Sequence, residues 1–238
     1  MSMSESTIIK NTRTCLQCGQ LFVLKNIAYE RRGQGKYCSQ SCARREYYVN
    51  ENVFDCIDSE EKAYWLGFLM ADGTQDGDAV ILELQISDRD HLLKFKEFMS
   101  AEHPVKTRER ENDSAGISIG SRKLCSALDT LGVVRNKSLI ARYPVIPDYL
   151  DRHFIRGMFD GDGCMCVSPK GYRSFSIYSG SLDLLTGIHS KFISNNIKMN
   201  LATKHNNMNL GKRAELIKLK KFLYEDSSVF LERKYLKF

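Results

Sequence analysis

Two short stretches, Trp65–Gly73 (WLGFLMADG) and Ile155–Gly163 (IRGMFDGDG), constrain this 238-residue chain more than anything else in it. Both are apolar runs closed by an acid and a glycine, and Asp72 and Asp162 lie 90 positions apart. Small residues recur four apart in each, Gly67 and Ala71 in the first and Gly157 and Gly161 in the second. On a helix, positions i and i+4 share a face, so each run carries a smooth stripe against which another backbone can lie close. If the two helices pack side by side and parallel, Asp72 and Asp162 meet at their C-terminal ends. Carboxylates there repel each other and sit at the negative end of a helix dipole. A divalent cation between them relieves both problems. An ordinary buried helix pair closed by Asp-Gly caps is the plainer reading, but it does not require an acid before both glycines.

The surrounding sequence supplies the rest of two similar halves. Ser59 with Glu60 and Glu61 reads as the cap and acidic first turn of a helix. Val80, Leu82, Leu84 and Ile86 alternate with Ile81, Glu83, Gln85 and Ser87, the period of a half-buried strand. Asp88 reads as the cap of a helix with Leu92, Phe95, Phe98 and Met99 on one face. Residues 104–111 and 115–123 read as a hairpin in which Lys106, Arg108 and Arg110 share a face, and a helix then ends at Gly132. The first half is thus helix, two strands, helix, two strands, helix. In the second, Phe175 and Ile177 face inward while Ser174, Ser176 and Tyr178 face outward. A helix carries Leu184, Leu185, Ile188 and Phe192, and a short final hairpin brings Lys204 and Lys212 to its ends. Cys164 and Cys166 share one strand face.

The paired motifs, in this order and spacing, resemble the LAGLIDADG motif of homing endonucleases in its double-motif, single-chain form, over roughly Ser59 to the C-terminus. The first copy departs from the family spelling with Met70 where Asp is common, whereas the second keeps Asp160. Because the final acid matters more, Met70 is not read as inactivation. The resemblance implies an α+β fold of two pseudo-symmetric αββαββα halves, 59–147 and 148–238, whose sheets form a saddle over duplex DNA. It also implies that Asp72 and Asp162 bind metal beside the scissile phosphates, with the carbonyls of Ala71 and Gly161 completing the shells. Lys137 and Lys234 match, by position, the basic residue that reaches each cleavage pocket. Asp72 to Lys137 is 65 residues and Asp162 to Lys234 is 72. The implied cofactor is Mg2+, with Mn2+ or Ca2+ as substitutes. The implied base-reading residues are Glu83, Gln85, Ser87, Ser174, Ser176 and Tyr178, with Lys106, Arg108, Arg110, Lys204 and Lys212 on the backbone.

Ahead of this core, Cys15-x2-Cys18 and Cys38-x3-Cys42 carry zinc-ligand spacing, with Gly19 after the first pair as in a zinc knuckle. Knuckle, hairpin and following helix resemble a treble-clef finger spanning 1–48, in which metal binding supplies most of the folding free energy. Arg31, Arg32, Lys36, Arg44 and Arg45 are its candidate phosphate contacts, against a purely structural finger. Residues 49–58 read as a linker, and Cys56, with no partner at ligand spacing, as a packed residue. A net charge of +6 is concentrated late, with 15 Lys and Arg against 9 Asp and Glu in 148–238. That suits a nucleic-acid partner without requiring one. Neither a secretory core at the N-terminus nor an apolar run of membrane length is present, which points to an intracellular, cytoplasmic or nucleoid-associated protein.

The activity implied is site-specific, metal-dependent hydrolysis of both strands of a long duplex target by a monomer. The rival readings are an intron maturase, whose partner is intron RNA, and a DNA-binding regulator that does not cut. The target sequence lies beyond what a single chain encodes legibly, since strand side chains and DNA shape share in setting it.

Overall fold

The computed structural model describes residues 11–16, 19–24, 35–39, 42, 47–108 and 113–238. The chain divides into two compact units, Met1–Tyr48 and Val49–Phe238.

In the first unit, strands β1 (Thr12–Thr14) and β2 (Leu21–Val23) pair antiparallel, with Arg13 opposite Phe22. The connection folds back tightly. Cys15 N–H reaches Gln20 O at 2.9 Å and Gly19 N–H reaches Cys15 O at 3.0 Å, with Gly19 in the left-handed region at φ +72°. The knuckle therefore lies inside the hairpin and not ahead of it. Cys18, Arg31, Arg32, Arg44, Arg45 and, in the second unit, Arg110 lie outside the described residues.

The second unit repeats one layout twice. Helix α1 (Glu60–Asp72) leads into β3 (Gly73–Asp76) and β4 (Ala79–Gln85), then α2 (Arg89–Phe98), β5 (Lys106–Arg108), β6 (Ser114–Gly120) and α3 (Arg122–Thr130). Helix α4 (Asp151–Asp162) leads into β7 (Gly163–Val167) and β8 (Arg173–Tyr178), then α5 (Leu182–Ser194), β9 (Asn200–Ala202), β10 (Asn207–Leu210) and α6 (Arg213–Tyr224). A four-residue helix, α7 (Glu232–Tyr235), follows. The strand orders match, β3-β4-β6-β5 and β7-β8-β10-β9, all antiparallel. Serine hydroxyls cap three helices by accepting a backbone N–H: Ser59 from Lys62, Ser121 from Leu124 and Ser181 from Leu184.

One face of each sheet carries the core, Val80, Leu82, Ile117 and Ile119 in the first and Met165, Phe175, Ile177 and Met208 in the second. The motif helices pack along their small-residue stripes. A Cβ placed on Gly67 would stand 2.0 Å from Phe154 O, one on Gly157 would stand 2.0 Å from Tyr64 O, and one on Gly161 would stand 2.3 Å from Ala71 Cβ. Only hydrogen in place of a side chain permits so close an approach. Contacts progress from Glu60 with Arg156 at the start to Ala71 with Gly161 at the finish, so the helices run parallel. All but the ends of α1 is buried, which is why its hydrophobicity runs around the helix and not along one stripe.

Four further expectations need correction. Residues 49–58 are not a linker: Val53, Phe54 and Ile57 enter the core and Asn50 N–H bonds Met99 O at 2.9 Å. Cys56 is exposed, not packed. Strand β4 stops at Gln85, so Ser87 sits in a 3-10 turn, Ile86–Asp88, and Ile86 is 40% exposed where alternation places it inward. Asp88 occupies the cap position of α2 but makes no capping bond, because its carboxylate is committed elsewhere.

Candidate metal centre and nucleic-acid interface

Parallel packing carries Asp72 and Asp162 to the same end of the helix pair. A Cβ on Gly161 would stand 3.2 Å from Asp72 Oδ2, so the Asp72 carboxylate lies against the last turn of the opposite helix. Both aspartates reach solvent on one side while protein crowds them on the other. That burial, with the Asp162 carboxylate next in weight, raises the Asp72 pKa to about 6 against the pull of Lys234, Lys137 and Arg233. Burial raises Asp162 as well, opposed by Lys137 and Lys234. Two acids resisting ionisation at neighbouring helix ends are donors of the kind that could hold a hard divalent cation.

A lysine closes each side. Lys137, 6% exposed, begins a 3-10 turn (Lys137–Leu139) and donates to Ala71 O at 3.5 Å and to Gly73 O. Lys234, 5% exposed, donates to Phe159 O at 2.9 Å and Gly161 O at 2.6 Å. The carbonyls of Ala71 and Gly161, assigned from sequence to metal shells, thus accept lysine hydrogen bonds, and only their second lone pairs are open. The two lysines are not equivalent. Lys137 bonds the carbonyls on either side of Asp72, the last residue of its helix, whereas Lys234 bonds those on either side of Asp160, two residues before the end of α4. Burial lowers both ammonium pKa values, that of Lys234 to about 8, while the aspartates oppose the shift. Beside Asp162 a cavity of about 430 Å3 opens, lined by Ala71, Ser138, Tyr178, His205 and Asn206 among others.

Asp160, where the first copy has Met70, has a different task. It is 1% exposed and accepts from Tyr64 Oη at 2.8 Å, Tyr224 Oη at 3.1 Å and Leu231 N at 2.7 Å. Burial still raises its pKa to about 6, the three donors and Lys234 opposing. Tyr64 spends its proton on Asp160, so His91 Nε2, 2.8 Å away, donates to the phenol oxygen. His91 fits that role as a neutral ring, because burial lowers its pKa to about 3. Met70 instead stands 3.6 Å from a Cβ built on Gly132, packing on the loop before Lys137.

The outer sheet faces collect most of the residues expected to read bases. On the first, register places Glu83, Gln85, Lys106, Arg108, Ser114 and Ser118 on one side. Arg108 pairs with Glu83 at 3.2 Å and Ser114 Oγ donates to Glu83 at 2.6 Å, both exposed, so this face is pre-ordered by an ion pair of little stabilising value. Ser87 lies beyond the strand. On the second face, Ser174, Ser176 and Tyr178 align with Cys164, Cys166, Asn207 and Asn209. The cysteine sulfurs are 3.3 Å apart and exposed. Lys204 sits in the 3-10 turn between β9 and β10, and Lys212 precedes α6; both are exposed. Alternation with the inward Met208 and Leu210 is the sequence signal that puts Asn207 and Asn209 on this face.

In the first unit, the sulfurs of Cys15, Cys38 and Cys42 lie within 4.8 Å of one another, a donor set suited to zinc. Lys36 is exposed beside it. No helix among the described residues is long and apolar enough to cross a membrane.

No protein-family model matches the chain, and no curated protein matches it. Solved structures do. The I-LtrWI LAGLIDADG homing endonuclease bound to target DNA aligns with a TM-score of 0.50 at 10% identity, covering 79% of this chain and 88% of that one. The N-terminal LAGLIDADG domain of DUF199/WhiA aligns at 0.49 with 16% identity over 74% and 90%. The meganuclease I-AabMI bound to uncleaved DNA aligns at 0.48 with 13% identity over 73% and 86%. The first likeness places the α+β architecture of this chain in the LAGLIDADG fold; at such identity it speaks of fold alone.

Proposed function

We propose that the chain is a double-strand DNA endonuclease in which Asp72 and Asp162 hold divalent cations, magnesium in the first instance, at the junction of its two halves. The observation that carries this reading is the convergence of two carboxylates and two buried lysines at the C-terminal ends of helices in van der Waals contact. Stability alone disfavours such a group. A bound divalent cation would polarise the phosphodiester and lower the pKa of attacking water. The protein's own share is positional. Asp72 and Asp162 fix the cations by their carboxylates. Lys137 and Lys234 are held by helix carbonyls at the rim, where an ammonium offsets charge growing on phosphate oxygens. Lys234, with a pKa near 8, can also exchange a proton with water near neutrality.

The two outer sheet faces would lie along the major groove, with Gln85, Ser174, Ser176, Tyr178, Asn207 and Asn209 offering neutral donors and acceptors to base edges. Lys106, Arg108, Lys204 and Lys212 would meet phosphates. The thiolates of Cys15, Cys38 and Cys42, with Cys18 as fourth ligand, would hold a structural zinc ion, with Lys36 on the phosphate backbone. Since both acids reside in one chain, a monomer suffices and the target need not be palindromic. The test is incubation of purified protein with plasmid carrying its own flanking locus, in magnesium or in EDTA. Magnesium-dependent linearisation supports the reading. Tight binding without cutting would replace it with a regulator, and preference for an intron transcript with a maturase.

A further inference from the structure

The segment bearing Lys234 has little means of holding itself in place. Helix α7 is a single turn of four residues, far below the length at which a helix is stable alone. Its own half supplies ring contacts, Tyr235 against Tyr224 and Phe230, and the first half supplies the charged contacts. Arg233, next to Lys234, makes a two-pronged ion pair with Asp88, Nε to Oδ1 at 2.7 Å and Nη2 to Oδ2 at 2.6 Å, and the Asp88 side chain is only 7% exposed. Two residues earlier, Leu231 N–H is held by Asp160, whose same oxygen accepts the Tyr64 hydroxyl from α1. Earlier still, Glu60 Oε1 accepts the N–H of Ser228 at 2.7 Å. Glu60, Tyr64 and Asp88 all belong to the first half.

The converse holds for Lys137. Its carbonyl and the turn it opens are followed by Ala141, whose C=O accepts Ser181 Oγ at 2.5 Å in a buried bond from the second half. Ser138 O presses on Gly180 so closely that a Cβ there would stand 2.6 Å away. Tyr143 continues the contact: its ring covers Gly187 and its hydroxyl donates to Asp151 at 2.7 Å.

We propose that the lysines are cross-docked: Asp88 of the first half positions Lys234, and Gly180 with Ser181 of the second half position Lys137, so that neither half completes its own end of the site. These are positioning residues, and their effect on cleavage rests on the endonuclease reading above. Cross-docking explains why Asp88, a residue at a cap position, makes no cap: its charge is spent across the junction. It ties both ends of the shared site to correct assembly of both halves.

The test uses the full chain with Asp88→Asn, Arg233→Gln and Gly180→Ala. Hydrogen exchange needs no assumption about activity. Asp88→Asn and Arg233→Gln should speed exchange at Lys234, Tyr235 and Leu236, leaving the amides of 63–70 and 154–159 protected; Gly180→Ala should act at Ile140 and Ala141 instead. Arg233, partly exposed, serves if Asp88→Asn fails to fold. On duplex target under single-turnover conditions, Asp88→Asn and Arg233→Gln should slow one strand by about tenfold or more at unchanged affinity, and Gly180→Ala should slow the other. Unchanged exchange in 234–236, or equal slowing of both strands by every variant, overturns the proposal. Local exchange changes in a protein that cuts nothing would support cross-docking and remove the endonuclease reading.

Discussion

Replacing Gly157 by alanine separates two opposing effects cleanly. In an isolated helix the change is favourable by about 1 kcal/mol, since alanine loses less backbone freedom. Here the new Cβ would meet Tyr64 O at 2.0 Å, Phe68 N at 2.7 Å and Tyr64 C at 3.0 Å, all backbone of α1 and unable to rotate aside. To restore even a 3.0 Å approach from 2.0 Å, the helices must part by roughly 1 Å. Overpacking of a close-packed interior costs about 1 to 3 kcal/mol, and a backbone obstacle belongs at the upper end. The net expectation is destabilisation of about 2 kcal/mol, or roughly 4 to 8 °C in Tm for a chain of this size. Gly120→Ala is the control: nothing lies within 4 Å of its Cβ, and its Tm should move by no more than about 2 °C. Thermal unfolding followed by circular dichroism reads both. If Gly157→Ala is as stable as wild type or more so, the motif helices are not packed by backbone contact and the convergence of Asp72 with Asp162 loses its basis.

Asp72→Asn should abolish double-strand cutting while DNA affinity, measured by gel retardation, stays within about threefold; equal loss of binding would make the residue structural. The same substitution should raise Tm in EDTA at pH 7. The folded-state pKa of Asp72, about 6, stands above its unfolded value of 3.8, so the folded form binds the extra proton. Stability from this group is therefore full below pH 4 and is lost as pH rises through 6, and the gain from Asn should vanish at pH 4. Magnesium titrated at pH 7 should erase the difference by stabilising wild type alone. Cys38→Ser, or a strong chelator, should speed hydrogen exchange across 11–16 and 19–24 and leave the 63–70 amides protected, since among the described residues of the smaller unit the buried apolar side chains are Cys15 and Leu24.

The sequence carried the motif helices openly, because Gly67, Ala71, Gly157 and Gly161 recur at the i, i+4 spacing that close helix packing uses. Strand alternation placed Glu83, Gln85, Ser174 and Ser176 on outer faces for the same local reason. It failed where a distant partner prevailed. Strand β4 ends before Ser87 as Asp88 turns towards Arg233, 145 residues on, and no local pattern encodes that. Residues 49–58 look polar, yet Val53, Phe54 and Ile57 are enough to anchor them. Asp160 stood out only as a difference from Met70, which marked an asymmetry without saying that the acid is a buried anchor for Leu231.

Manganese binding to the protein–DNA complex, measured as free-ion resonance in Asp72→Asn, Asp162→Asn and the double variant, tests the shared site most directly. If the two carboxylates serve one centre, each single substitution lowers affinity nearly as far as both together. Independent losses that sum in the double variant, with half the ions still bound tightly in each single one, would contradict it.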